Sequence, residues 1–185
     1  MKRLAIFISL HLFLFLLVIA YQAQSSEWTI DRYKTLTFAR VSGVVTHGDN
    51  LNFWIRAEDG CEKVYNTFTV YTYKKPGDIK QLLNKNIPIK INGEDITASV
   101  QDISPFLMGY RFHLSLGSYP IREYIYFLNE FYQEFQKYEI EIVDGLNFSA
   151  DKYFDIRNNS WQLDELVPSV LEASKLCKNL SQEKL

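Results

Sequence analysis

The sequence predicts an α+β domain built on a mainly antiparallel sheet of roughly seven or eight strands. One long central helix and a C-terminal helix pack on that sheet, which can curl into a half-open barrel. Three observations carry this expectation. Short segments alternate apolar and polar residues, and turn pairs such as Asp59-Gly60 and Asn92-Gly93 divide them. A continuous apolar stripe at long-helix spacing appears only late, over 121–135. The alternation also argues against a doubly wound parallel sheet, whose buried strands are apolar throughout.

The first residues differ from all that follow. Met1-Lys2-Arg3 is basic, and no residue from Leu4 to Ala20 carries a formal charge. That is the pattern of a secretory leader, with small residues at Ala23 and Ser25 for cleavage. The expected organisation is a cleaved signal peptide over 1–25, one domain over 26–180 and a frayed tail over 181–185. An uncleaved anchor is the alternative, against which Ser9 and His11 inside the run would be costly.

Residues 36–46 are β-branched and aromatic, as a strand prefers, and His47-Gly48-Asp49-Asn50 is turn chemistry. Leu51, Phe53, Ile55 and Ala57 then alternate with Asn52, Trp54 and Arg56. Val64 to Tyr73 reads as a third strand. Pro76-Gly77 breaks the pattern, and 78–84 suits a short helical turn. Ile87, Ile89 and Ile91 lead to Asn92-Gly93, a strong two-residue hairpin signal, and Ile96, Ala98 and Val100 return. Pro88 suggests an edge position for the first of this pair. Over 110–116, Phe112, Leu114 and Leu116 face inward while Arg111, His113 and Ser115 face outward.

The long helix opens after Pro120, which suits a first turn. Its stripe includes Ile121, Tyr124, Leu128, Phe131 and Phe135. Glu139 to Val143 alternates as a strand, and 152–157 can return it after Asp144-Gly145. The C-terminal segment is helical, with Leu166, Val170 and Cys177 on one face and Pro168 tolerated in the first turn. Cys61 and Cys177 are the two cysteines of the chain. Export makes a disulfide between them the default reading, since Cys177 faces the sheet that holds Cys61.

Function is less legible. Loss of the leader moves the net charge from −2 toward −4, and no basic run appears. Nucleic acid is therefore not an expected partner, nor is an anionic bilayer after signal cleavage. No GxSxG turn, phosphate loop, dinucleotide fingerprint or metal-ligand cluster occurs, so no catalytic residue, cofactor or metal is assigned. His47 and His113 are the candidates for a dispersed hydrolase site, and Glu139 with Glu141 for a carboxylate pair. Solvated surface explains each of them as well. What remains is an aromatic share of 15%. Trp54, Tyr65, Tyr71 and Tyr73 on strands, with Tyr126 and Phe127 on the long helix, form the candidate partner surface. The expectation is an exported, periplasmic or secreted, non-catalytic domain that binds a protein partner, an inhibitor or immunity role being one form. Its alternatives are a carrier holding an apolar small molecule between sheet and helix, and a small hydrolase with a dispersed site.

Overall fold

The structure is a computed structural model that describes residues 27–45 and 49–182. The expected leader, His47 and positions 183–185 lie outside the described residues. Among the described residues seven strands precede the first α-helix: β1 Trp28–Tyr33, β2 Leu36–Ser42, β3 Asn50–Arg56, β4 Lys63–Thr72, β5 Asn86–Ile91, β6 Glu94–Phe106 and β7 Gly109–Pro120. Helix α1 Ile121–Phe135, β8 Lys137–Ile142, a helical turn α2 Ala150–Tyr153, β9 Asn158–Gln162 and α3 Leu166–Gln182 complete the chain. Short 3-10 turns span Ala57–Asp59 and Ile79–Leu82. All nine strands join one sheet in the order β1-β2-β3-β4-β7-β6-β5-β8-β9. Every pairing within it is antiparallel.

Three local readings change. β1 is an additional strand, pairing Trp28 with Val41 and Tyr33 with Leu36, and it brings the count to nine. Its alternation is weak because it lies at the sheet edge and is mostly exposed. The return after β8 is β9 at Asn158–Gln162 and not 152–157, where α2 forms instead. Asn158-Asn159-Ser160 resembles a turn by composition, yet tertiary contacts hold it extended. β5 lies between β6 and β8 and is not an edge strand. Pro88 is tolerated because the ladder to β8 covers Ile89–Ile91, and Pro88 offers its neighbour only a carbonyl, to Val143 N–H at 3.2 Å. The Asn92-Gly93 hairpin forms as expected, with φ of 47° and 90° at its two turn residues.

Strand alternation divides the sheet into two faces. Ala39, Val41, Leu51, Phe53, Ile55 and Phe68 belong to the buried inner face, against which α3 packs Leu166, Val170 and Ala173. Thr37 Oγ1 donates to the Ala173 carbonyl at 2.8 Å, tying β2 to the helix. Cys61 and Cys177 are joined, with Cα atoms 5.9 Å apart, so α3 is also fixed covalently to the β3–β4 connection. Helix α1 is less covered. Only Tyr124 and Leu128 of its stripe are fully buried, and its contacts are with α3, β7 and β4.

The sheet curls into a half-barrel whose far strand approaches the β2–β3 connection. Val44 N–H donates to the Ser160 carbonyl at 3.1 Å, and Asn159 Nδ2 to Asp49 Oδ2 at 2.9 Å. Strand directions sort the connections between the two ends. At one end lie the β6–β7 turn and the residues after β4; the ladders bring the start of β1 level with Val100, and the β8–α2 loop, where Gly145 lies against Pro88, level with Thr97. At the other lie the disulfide, the Asn92-Gly93 turn and the entries to α1 and α3.

Candidate functional site

The helices cover the inner face; on the helix-free outer face Phe38, Asn52, Thr67 and Tyr71 are buried, and Arg40, Trp54, Tyr65, Thr69 and His113 are half-buried. Register brings its residues into rows: Phe38 opposite Trp54 and Tyr65, Arg40 opposite Asn52 and Thr67, and Thr69 opposite His113. Phe38 and Trp54 rings lie 4.8 Å apart, and the Arg40 guanidinium stacks over both, at 4.6 and 5.6 Å. Arg40 Nε donates to Asn52 Oδ1 at 2.7 Å, and the Trp54 indole N–H donates to Thr67 Oγ1 at 3.1 Å. His113 continues the row, 6.5 Å from the Trp54 ring. The outcome is a pair of tilted rings, Phe38 buried and Trp54 half-buried, that holds a guanidinium in a set orientation.

Its electrostatics are unbalanced. Burial pushes the Arg40 pKa down, the charge of Arg111 adds to this, and Asp31 opposes it. Among the described residues neither Arg40 nor Arg111 has a carboxylate within ion-pair distance. Burial also lowers the His113 pKa; Asp102 across the β6–β7 pair works against this, while Arg111 and Arg40 reinforce it. His113 is thus held toward its neutral form on a face where positive charge collects.

The six aromatic residues expected to form the surface do not meet in one patch. Trp54 and Tyr65 are cross-strand neighbours and both are half-buried. The Tyr65 hydroxyl bonds the Arg56 guanidinium and Asp59, with the Asp59 contact at 2.8 Å. Asp59 is held below the usual carboxylate range by Arg56 first and Tyr65 second. Tyr71 lies on the outer face farther along β4, and Tyr73 follows just beyond the strand. Tyr71 is buried there, edge-on to Tyr73 at 4.8 Å and to Phe106 at 5.6 Å. Tyr126 and Phe127 lie on α1, in the other layer, exposed to 68% and 51%.

Alternation along the sequence placed Arg111 outward, while Phe38 and Arg40 were not assigned to the face. The signal was present in β2, where Arg40 and Ser42 alternate with buried Ala39 and Val41, but residues 36–46 read there as one uniform strand. The other candidates separate. Glu139 is held by Lys137 at 2.6 Å and Glu141 lies opposite Lys90, so each carboxylate faces a lysine. Both line an open pocket of about 310 Å³ with Asn158 and Ser160. Among the described residues no group of three His, Cys, Asp or Glu side chains could hold a metal ion, and no helix is long and apolar enough to cross a membrane. Compared with protein-family models, curated proteins and solved structures, the chain finds no match.

Proposed function

We propose that this chain is an exported, non-catalytic domain that binds a protein partner through the helix-free face of its sheet. One observation carries the reading. Arg40 is half-buried between Phe38 and Trp54 and oriented by Asn52, while Arg111 is its like-charged neighbour. Folding gains stacking and a hydrogen bond from Arg40, but among the described residues neither its charge nor that of Arg111 meets a carboxylate within ion-pair distance. A partner that brings a carboxylate to Arg40 and an apolar surface to Trp54 would meet a preorganised site, which is how interface hot spots are built. Export rests on the leader-like first residues and agrees with the disulfide, which persists in oxidising compartments. An inhibitor or immunity role is one form of such binding.

The test is positional crosslinking in the native host. A photoreactive residue at Ser115, on the outer face, should trap a protein, and one at Glu172, exposed on α3, should not. Arg40→Met, which keeps the apolar stem and removes the charge, should abolish the adduct with the urea midpoint little changed. Equal trapping from both positions, or none from Ser115, removes the reading.

A further inference from the structure

We infer that the pocket beside the Cys61–Cys177 bridge binds a free α-amino acid as its zwitterion, with the carboxylate at the first turn of α1. The pocket is half-open and holds about 360 Å³, within the range of small-molecule sites. Three separate segments wall it. Cys61 and Glu62 come from the β3–β4 connection, Ile121 to Glu123 from the start of α1, and Ser174 and Lys178 from α3. The bridge joins the first wall to the third. The Ile121 N–H joins the second to the first through the Glu62 carbonyl at 2.9 Å. A ligand therefore enters between walls that are already fixed, which lowers the ordering cost of binding.

Two independent features point to a bound oxygen. No side chain caps α1, and helix geometry offers the first-turn N–H groups of Arg122 and Glu123 no partner within the helix. The positive end of the helix dipole favours an anion at the same place. From the opposite wall comes Ser174, which lines the pocket although it is only 6% exposed. Its hydroxyl makes no hydrogen bond among the described residues. A hydroxyl so buried ordinarily has a partner. Folding supplies none here, and a ligand carboxylate would.

Charge narrows the class. Arg122 and Lys178 border the pocket, and so do Glu62 and Glu123. None of the four stands in an ion pair among the described residues. Two cations and two carboxylates on one rim leave no net charge to favour a simple anion. A molecule carrying both signs answers both sets. Its carboxylate would meet α1, Ser174 and Lys178, and its ammonium would meet Glu62, each as a charge-assisted hydrogen bond. Half-buried Ile121 supplies an apolar wall for the substituent on its α-carbon.

Isothermal titration calorimetry of the standard L-amino acids, on host-purified protein with the bridge intact, tests this. At least one should bind, at a single site per chain. Its N-acetyl and amide derivatives, each lacking one charge, should bind about tenfold more weakly. Lys178→Gln and Ser174→Ala should each weaken the parent amino acid about fivefold. Glu62→Gln should remove the preference over the N-acetyl form. Lys178 and Glu62 are exposed, so their variants keep the fold whatever becomes of Ser174→Ala. Absence of binding by every amino acid overturns the inference, as does binding that Lys178→Gln and Glu62→Gln both leave unchanged. An N-acetyl derivative or acetate that binds as well as the parent would show a carboxylate site alone, and overturns the zwitterion.

Discussion

Asn159 of β9 donates its side-chain amide to Asp49 Oδ2 at 2.9 Å, although the two residues lie 110 positions apart. Asp49 is almost wholly buried, and its other oxygen accepts the Tyr71 N–H at 2.9 Å. One carboxylate therefore joins the β2–β3 connection to β4 and to the last strand. This contact is where the curled sheet approaches closure, and it explains why a stretch with turn-like composition is held as a strand.

Asp49→Ala should destabilise the fold by about 2–3 kcal/mol, since it strands a buried amide and a backbone N–H together. Gly43 tests the same junction sterically. A Cβ there would lie 2.4 Å from Asn159 Nδ2, so Gly43→Ala should cost about 1–3 kcal/mol in wild-type background. In an Asn159→Ala background the cost of Gly43→Ala should shrink. Urea midpoints for the four proteins of this cycle check the coupling; strict additivity would contradict it.

The Cys61–Cys177 bridge spans 116 positions and both residues are buried. The chain-entropy argument assigns such a loop up to about 4–5 kcal/mol. The Cys61→Ser/Cys177→Ser protein should lose a large part of that in equilibrium unfolding. In the native protein, alkylation should require reductant and be much faster when denaturant is added, because neither sulfur is open to solvent. Rapid labelling without reductant, read by intact mass, would mean the bridge is not formed.

His113 gives a pH dependence with a defined sign. Its folded pKa is depressed below the ordinary 6.5, first by burial, so below that value the unfolded chain binds more protons than the folded one. The stability tied to its neutral form is full above the unfolded pKa and declines as pH falls from 6.5 toward the folded pKa. Replacement by Gln removes the titration. The stability gap between wild type and His113→Gln should therefore shift against wild type between pH 7.5 and pH 5.5, as urea midpoints would record. An unchanged gap would mean that His113 keeps an ordinary pKa.

The face carrying Arg40 and Trp54 was half legible before the fold was known. Trp54 and His113 were placed outward by simple alternation, because a strand has a period of two and one face must be buried. Arg40 could not be joined to them from sequence. Its partners Asn52 and Trp54 are more than ten positions away, and Arg111 acts on it from β7, across two intervening strands. Conversely, Tyr126 and Phe127 resembled the strand tyrosines in composition and ended in a different layer.

Local chemistry was enough to determine the α+β class, the Asn92-Gly93 hairpin, the extent of α1 and the meeting of Cys61 with Cys177. Each depends on periodicity, on a turn residue's allowed φ, or on which face a helix buries. Tertiary structure alone decided that Trp28–Tyr33 is a strand and that β5 is internal. It also decided that Asn159 closes the curl on Asp49. Those outcomes depend on which strands become neighbours, and the pattern along a chain specifies a strand's buried face without naming the strand beside it.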